Sequence, residues 1–249
     1  MTGTVYSGIV KALQRRPLHF TLLDPDKQPP MQAARMAEAA EAAGSDAIMI
    51  GGSTGYTREQ LDRTTVAVKG ACDLPTILFP TSSGLLTPRI DAILFMSLLN
   101  SRSPDFLIRE HARAAPFIKR SKVEPIPMGY LIVAPGMRVG EVGQADCVPR
   151  DRPDVAVGYA LAAELLGMRL VYLEAGSGAP DPVPPRMVRA VAAELSVPLI
   201  VGGGITTSRR AAAAVKAGAD IVVTGTMVEA ASDVEGALRD VIAAVRGGG

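Results

Sequence analysis

The run Tyr172-Leu173-Glu174-Ala175-Gly176-Ser177-Gly178 puts a single carboxylate at the end of an apolar stretch, inside a loop otherwise built from small residues. A charge in such a place is costly without a partner. Tyr172 and Ser177 bring hydroxyls, and Gly176 and Gly178 permit close approach. The segment therefore suits recognition of a small polyol phosphate, with Glu174 accepting a hydroxyl proton. The competing reading is a structural carboxylate paired with an arginine. Two more glycine-rich turns, VGGGI with Gly203 and Gly204 and TGT with Gly225 and Thr226, could turn backbone N–H groups toward an anion. Tight turns alone would also account for those glycines. Asp24 in LDPDK and Ser53 with Thr54 in GGSTG offer a carboxylate and hydroxyl oxygens. With water and phosphate oxygens these suit Mg²⁺, although a helix-capping aspartate and an ordinary turn fit the same residues. Asn100, His19, His111, Arg209 and Arg210 read as structural or solvated side chains rather than as parts of this chemistry.

All of these residues fall at one kind of place. Eight short apolar runs, rich in β-branched residues, begin near positions 19, 46, 75, 91, 124, 169, 198 and 219. Most are followed by alanine-rich segments of helical periodicity, at 31–44, 57–70, 103–120, 154–167, 184–196, 206–218 and 232–249. Continuous apolar runs are what parallel strands buried on both faces require. Eight such units predict an α/β fold, a (β/α)₈ TIM barrel forming one domain over 1–249, with a doubly wound open sheet as the rival. In a barrel the chemistry sits at the C-terminal ends of the strands. Those ends read LDPDK, GGSTG, FPTSSG, MSLLNS, VAPG, YLEAGSG, VGGGI and TGT. One unit is short. Only PTSSGLLTPRI separates the third and fourth strands, too little and too rich in proline for a full crossover helix. The barrel is thus expected to be modified: its third helix missing or replaced by an extended segment, and its outer wall open there to a long apolar ligand.

Composition removes several classes. Twenty-six basic residues against 25 acidic ones give a net charge of +1, without the basic excess of a general nucleic-acid binder. The two cysteines, Cys72 and Cys147, lie far apart, and the opening segment MTGTVYSGIVKALQRRP has no apolar centre. A reduced, cytoplasmic protein is expected, with membrane contact no more than peripheral.

Taken in order, LDPDK, GGSTG, FMSLLNS, GYLIVAPG, YLEAGSGA, VGGGI and ADIVVTGT resemble the geranylgeranylglyceryl phosphate synthase family across nearly the whole chain. The resemblance implies a barrel without its third helix. It also implies transfer of a prenyl group, geranylgeranyl above all, from the diphosphate to the 3-hydroxyl of sn-glycerol 1-phosphate, the first committed step of ether-lipid synthesis. By position, Asp24 and Ser53 would hold the Mg²⁺ cofactor. Tyr172, Leu173, Glu174, Ala175, Gly176, Ser177 and Gly178, Gly203 with Gly204, and Gly225 with Thr226 would hold the glycerol phosphate. Leu22 departs from the pattern of bacterial relatives, which carry a lysine there; the basic contact is missing unless Lys27 supplies it. No DDxxD cluster is present, so Asp24 would work with few other protein ligands. A homo-oligomer is expected. Two rivals share the phosphate loops: another phosphate-binding barrel enzyme of the sugar-phosphate isomerase type, and a non-catalytic module that binds a phosphorylated ligand.

Overall fold

The computed structural model describes residues 3–52, 55–231 and 233–247. The eight apolar runs become β1 (Leu18–Leu23), β2 (Ala47–Gly51), β3 (Thr76–Phe79), β4 (Ala92–Leu98), β5 (Glu124–Ile132), β6 (Leu170–Glu174), β7 (Leu199–Gly202) and β8 (Ile221–Thr224). They pair in parallel in chain order and close into a barrel, with Leu18 to Thr21 of β1 registered against Ile221 to Thr224 of β8. Because side chains alternate, each strand divides its residues between two cores. Phe20, Met49, Leu94, Tyr130, Tyr172 and Ile200 fill the interior. Leu131, Leu173, Val201 and Val222 face outward onto the helices.

That outer layer comprises α2 (Pro30–Ala43), α3 (Arg58–Ala71), α4 (Glu110–Ser121), α6 (Pro153–Leu165), α7 (Pro185–Ala192), α8 (Ser208–Lys216) and α10 (Val234–Gly247). Their starts carry the expected signals: proline in the first turn of α2, α6 and α7, and threonine N-caps on α3 and α8. Three helices escaped sequence reasoning: α1 (Thr4–Leu13), α5 (Met137–Val142) and α9 (Thr226–Ala230). α1 carries a glycine and β-branched residues, so its local signal is weak. A distant residue holds its start: the Glu124 carboxylate accepts the N–H groups of Val5 and Tyr6 at 2.8 and 3.0 Å.

No helix joins β3 to β4, as the short spacing requires. The wall there is less open than expected, however. The extended segment 80–91 lays Leu86 and Ile90, both buried, against Leu78 and Ile93. It is tied down where the Glu110 carboxylate accepts the Ser83 N–H at 2.6 Å, and by the Asp91 carboxylate, which accepts Thr76 N–H and Oγ1–H at 2.9 and 2.7 Å. What remains is a groove of about 530 Å³ between this segment and α4, lined by Leu86, Leu94, Phe95, Leu98, Phe106 and Ala114 among others. It opens at the C-terminal ends of β3 and β4.

His19 shows that this outer layer is not wholly apolar. It is fully buried on the outward face of β1, with Nδ1 3.1 Å from Ser45 Oγ and Nε2 2.9 Å from Thr224 Oγ1. Burial pushes its pKa down to about 4, opposed by Asp46 and reinforced by Arg246. The unfolded chain therefore takes up a proton near pH 6.5 that the folded chain refuses until about pH 4. Stability is full above that window and falls as pH drops through it. From pH 7 to pH 5 this residue should account for about 2 kcal/mol of lost stability. Unfolding free energies from urea titrations at the two pH values should show an acid loss larger by that amount in the unaltered protein than in His19→Gln; an equal acid loss in both would remove His19 as the cause.

Candidate active site

The C-terminal ends of β6, β7 and β8 enclose a pocket of about 420 Å³. Strand alternation aims Tyr172 and Glu174 into the barrel. It turns Leu173 and Ala175 into the layer beneath the helices, where both are fully buried. Those two expected substrate contacts can therefore reach a ligand through backbone alone. Glu174 Oε1 accepts the Gly176 N–H at 2.6 Å. Burial pushes its carboxyl up, while that N–H and the phenols of Tyr172 and Tyr130 pull it back down. No basic side chain enters the balance, so the arginine-paired structural reading fails. Tyr130 is a member of the site that sequence reasoning missed. It sits on β5 within GYLIVAPG, its ring edge-on to Tyr172 at 5.2 Å and to Phe79 at 5.4 Å. The signal was available in the strand alternation, which puts Tyr130 on the interior face directly beside Tyr172.

The glycines serve different ends. Gly203 has φ +77°, and a Cβ there would fall 2.2 Å from Glu174 Oε1. Gly204 has φ +69°, and a Cβ would meet the backbone of Asp181 and Pro182 at 2.9 Å. Both are glycine so that the loop after β6 can lie against the loop after β7. At Gly225 the nearest neighbour of a Cβ would be Leu22 at 3.4 Å, an ordinary contact. Its missing side chain is not demanded by packing and leaves room in the pocket. Ser177 Oγ lies 3.0 Å from Thr226 Oγ1, joining the loops after β6 and β8 at the rim. The lining also takes in Gly178, Thr206 and Leu22, and no lysine or arginine among the described residues. Leu22 thus faces the pocket, and exposed Lys27, the residue left to supply the basic contact missing there, is not part of the wall.

Asp24 projects from the end of β1, between the pocket and the groove in the order of strands around the barrel. Its carboxylate lies over Gly52, whose Cβ would fall 2.0 Å from Oδ2. Oδ1 accepts the Asp26 N–H at 3.1 Å. Burial pushes the carboxyl up, with the Asp26 N–H opposing, Asp26 adding its charge and Lys27 pulling back. Glu229 on α9 was not anticipated. Burial raises its carboxyl too, and it feels both Lys27 and Asp24. Ser53 and Thr54 lie outside the described residues. Asn100 is structural, as expected: its amide donates to the carbonyls of Ile132 and Asp146 at 2.9 and 2.8 Å and accepts the Ile132 N–H at 3.1 Å.

Comparison with known proteins gives this geometry a family. The PcrB family model matches residues 10–245. The chain is 55% identical over 233 residues to the geranylgeranylglyceryl phosphate synthase of Thermococcus kodakarensis, covering 94% of this chain and 92% of that one. It is 50% identical over 246 residues to the enzyme of the same name from Pyrococcus horikoshii, covering 99% and 96%. The crystal structure of (S)-3-O-geranylgeranylglyceryl phosphate synthase from Thermoplasma acidophilum, in complex with its substrate sn-glycerol-1-phosphate, superposes with a TM-score of 0.95 at 44% identity over 99% of both chains. Motifs, barrel and near-complete alignment agree: the chain belongs to the PcrB family.

Proposed function

We propose that this protein transfers a prenyl group from a prenyl diphosphate to the 3-hydroxyl of sn-glycerol 1-phosphate, opening ether-lipid synthesis. One observation carries the reading: a pocket that holds a buried carboxylate with no basic partner among the described residues, and an apolar groove, open at the same end of one barrel. A sugar-phosphate isomerase would have no use for the groove, and a binding module none for the buried Glu174. The names of the relatives favour geranylgeranyl as the prenyl group.

In the reaction the allylic carbon–oxygen bond to the diphosphate breaks, and the diphosphate leaves with the electron pair. The glycerol oxygen bonds to that carbon and gives up its proton. Glu174 accepts the proton, at a position where burial has made it a stronger base than a solvated carboxylate. The loops after β6, β7 and β8 fix the polyol phosphate with backbone N–H groups and the hydroxyls of Ser177, Thr206 and Thr226, which supplies positioning. The groove holds the apolar tail and keeps water from it.

Mg²⁺ suits the residues at β1. The carboxylate of Asp24 occupies the cradle left by Gly52, and burial disfavours its charge without a compensating cation. Among the described residues no three His, Cys, Asp or Glu side chains gather into a metal site. Asp24, with Ser53 as the second protein oxygen, would therefore share the ion with water and diphosphate oxygens. When bound, the ion would neutralise charge building on the leaving diphosphate.

Mass spectrometry of products formed from sn-glycerol 1-phosphate and a ladder of prenyl diphosphates tests the reading. The geranylgeranyl ether should dominate, with farnesyl and much longer chains turned over more slowly. Absence of an ether product with every donor would overturn the assignment.

A further inference from the structure

Arg210 sits three residues beyond the N-cap of α8, next to the pocket but outside its lining. Sequence reasoning leaves it on a solvated helix face. The structure instead gives its guanidinium four acceptors on two loops. Nη1 donates to the Gly204 carbonyl at 2.8 Å and to Thr206 Oγ1 at 3.3 Å. Nη2 donates to the Pro180 carbonyl at 2.7 Å and to Asp181 Oδ1 at 3.2 Å. The first pair belongs to the loop after β7, the second to the loop after β6. These are the loops that carry Gly203 with Gly204 and, just beyond Glu174 at the end of β6, Ser177. The far end of the same segment is tied to the β5 loop by Arg150, which donates to Pro182 O at 2.9 Å and Ala134 O at 3.2 Å.

From this arrangement we infer that Arg210 is a positioning residue for the glycerol phosphate, clamping the loop after β6 against Gly204 so that the two halves of the pocket keep one spacing. The inference rests on assigning the pocket between β6 and β8 to the polyol phosphate. The physical need for a clamp is visible at Gly204. Residues 179–182 approach it so closely that a Cβ would overlap their backbone, yet no strand ladder extends over these residues to hold them there. Two carbonyls, a hydroxyl and a carboxylate held by one planar fork fix both distance and orientation. An ammonium group is a point charge on a flexible stem and cannot span both loops in that geometry. Arg210 is not part of the pocket lining, and its effect passes through Gly204 and Thr206, which are, and through the Pro180–Asp181 turn.

The test compares Arg210→Met, Arg210→Lys and Asp181→Asn in steady-state kinetics with each substrate varied in turn, alongside calorimetric binding of sn-glycerol 1-phosphate and thermal unfolding. Arg210→Met should raise the KM and the Kd for glycerol phosphate about tenfold or more, since small misplacements of positioning groups weigh heavily. The KM for the prenyl diphosphate should stay within about twofold, because the groove and Asp24 lie on other strands. Arg210→Lys should fail to restore glycerol phosphate affinity, and Asp181→Asn, which keeps the two carbonyls, the Thr206 hydroxyl and an amide oxygen and loses only the charge, should shift it far less. Should Arg210→Met not fold, Arg210→Lys carries the same comparison. Unchanged glycerol phosphate binding in both Arg210 variants, recovery by lysine, or an equal rise in both KM values would overturn the inference. If the unaltered protein itself fails to bind glycerol phosphate, the pocket assignment falls instead, and the two failures are told apart.

Discussion

Replacing Glu174 by glutamine should lower kcat by about 10²–10⁴-fold, with only a modest change in the KM for sn-glycerol 1-phosphate. Glutamine keeps the side-chain length and can still accept the Gly176 N–H that now reaches Oε1 at 2.6 Å. The space beside Gly203 that the carboxylate occupies would be filled in the same way. What disappears is the capacity to take up a proton. No histidine competes for the role. His19 is buried on the outer face of β1 and His111 packs edge-on against Phe95 beside the groove. The pH dependence gives an independent check. Burial raises the Glu174 carboxyl, so the protonated, inactive form persists to higher pH than for a solvated glutamate. The rate should climb with pH along a limb displaced upward from that of a solvated glutamate, and Tyr130→Phe should push that limb higher by removing a hydroxyl that favours the charged form. A variant in which KM rises while kcat survives would make Glu174 a binding group and send the search for the base elsewhere.

The barrel was legible because each of its strands is a short apolar run with its own punctuation, and the site because polar residues cluster where those runs stop. The gap between β3 and β4 was equally legible from chain length, since 11 residues with two prolines leave no room for a crossover helix. How the gap is filled was not. The burial of Leu86 and Ile90 against Leu78 and Ile93 depends on three-dimensional proximity that no local pattern encodes. The same holds for α1, whose first N–H groups are capped by Glu124, more than a hundred residues away. Within the site, treating 172–178 as one contiguous binding segment ignored strand alternation, which sends Leu173 and Ala175 to the opposite face. It also passed over Tyr130, which reaches the same carboxylate from the neighbouring strand. For the glycines of VGGGI the sequence left two readings, backbone N–H groups turned toward an anion and tight turns; close packing against Glu174 and the turn at Asp181 is a further demand on Gly203 and Gly204 that no local pattern encodes.

Asp24→Ala should abolish Mg²⁺-dependent turnover and leave the fold intact. The two halves of that expectation have the same physical origin. Among the described residues the Asp24 carboxylate makes one hydrogen bond, accepting the Asp26 N–H two residues on, and its burial disfavours the charged form. Among the described residues its removal deletes no long-range hydrogen bond, and it relieves a charge that the resting protein holds at a cost, so thermal unfolding should change little. The nearby Glu229 carboxyl, raised by burial and by the charge of Asp24, should become easier to ionise in the variant, which works against any loss of stability. Catalysis has no such slack. Among the described residues no cluster of acidic or imidazole ligands stands ready to replace Asp24, and Mg²⁺ bound through one or two carboxylates depends on each of them. Mn²⁺ binding in the presence of an unreactive prenyl diphosphate analogue, followed by electron paramagnetic resonance, reads the metal site without reference to turnover. Strong binding in the unaltered protein and its loss in Asp24→Ala is the expected pair. Near-normal rates at saturating Mg²⁺, or undiminished Mn²⁺ binding, would take Asp24 out of the metal site and leave Glu229 as the carboxylate to test.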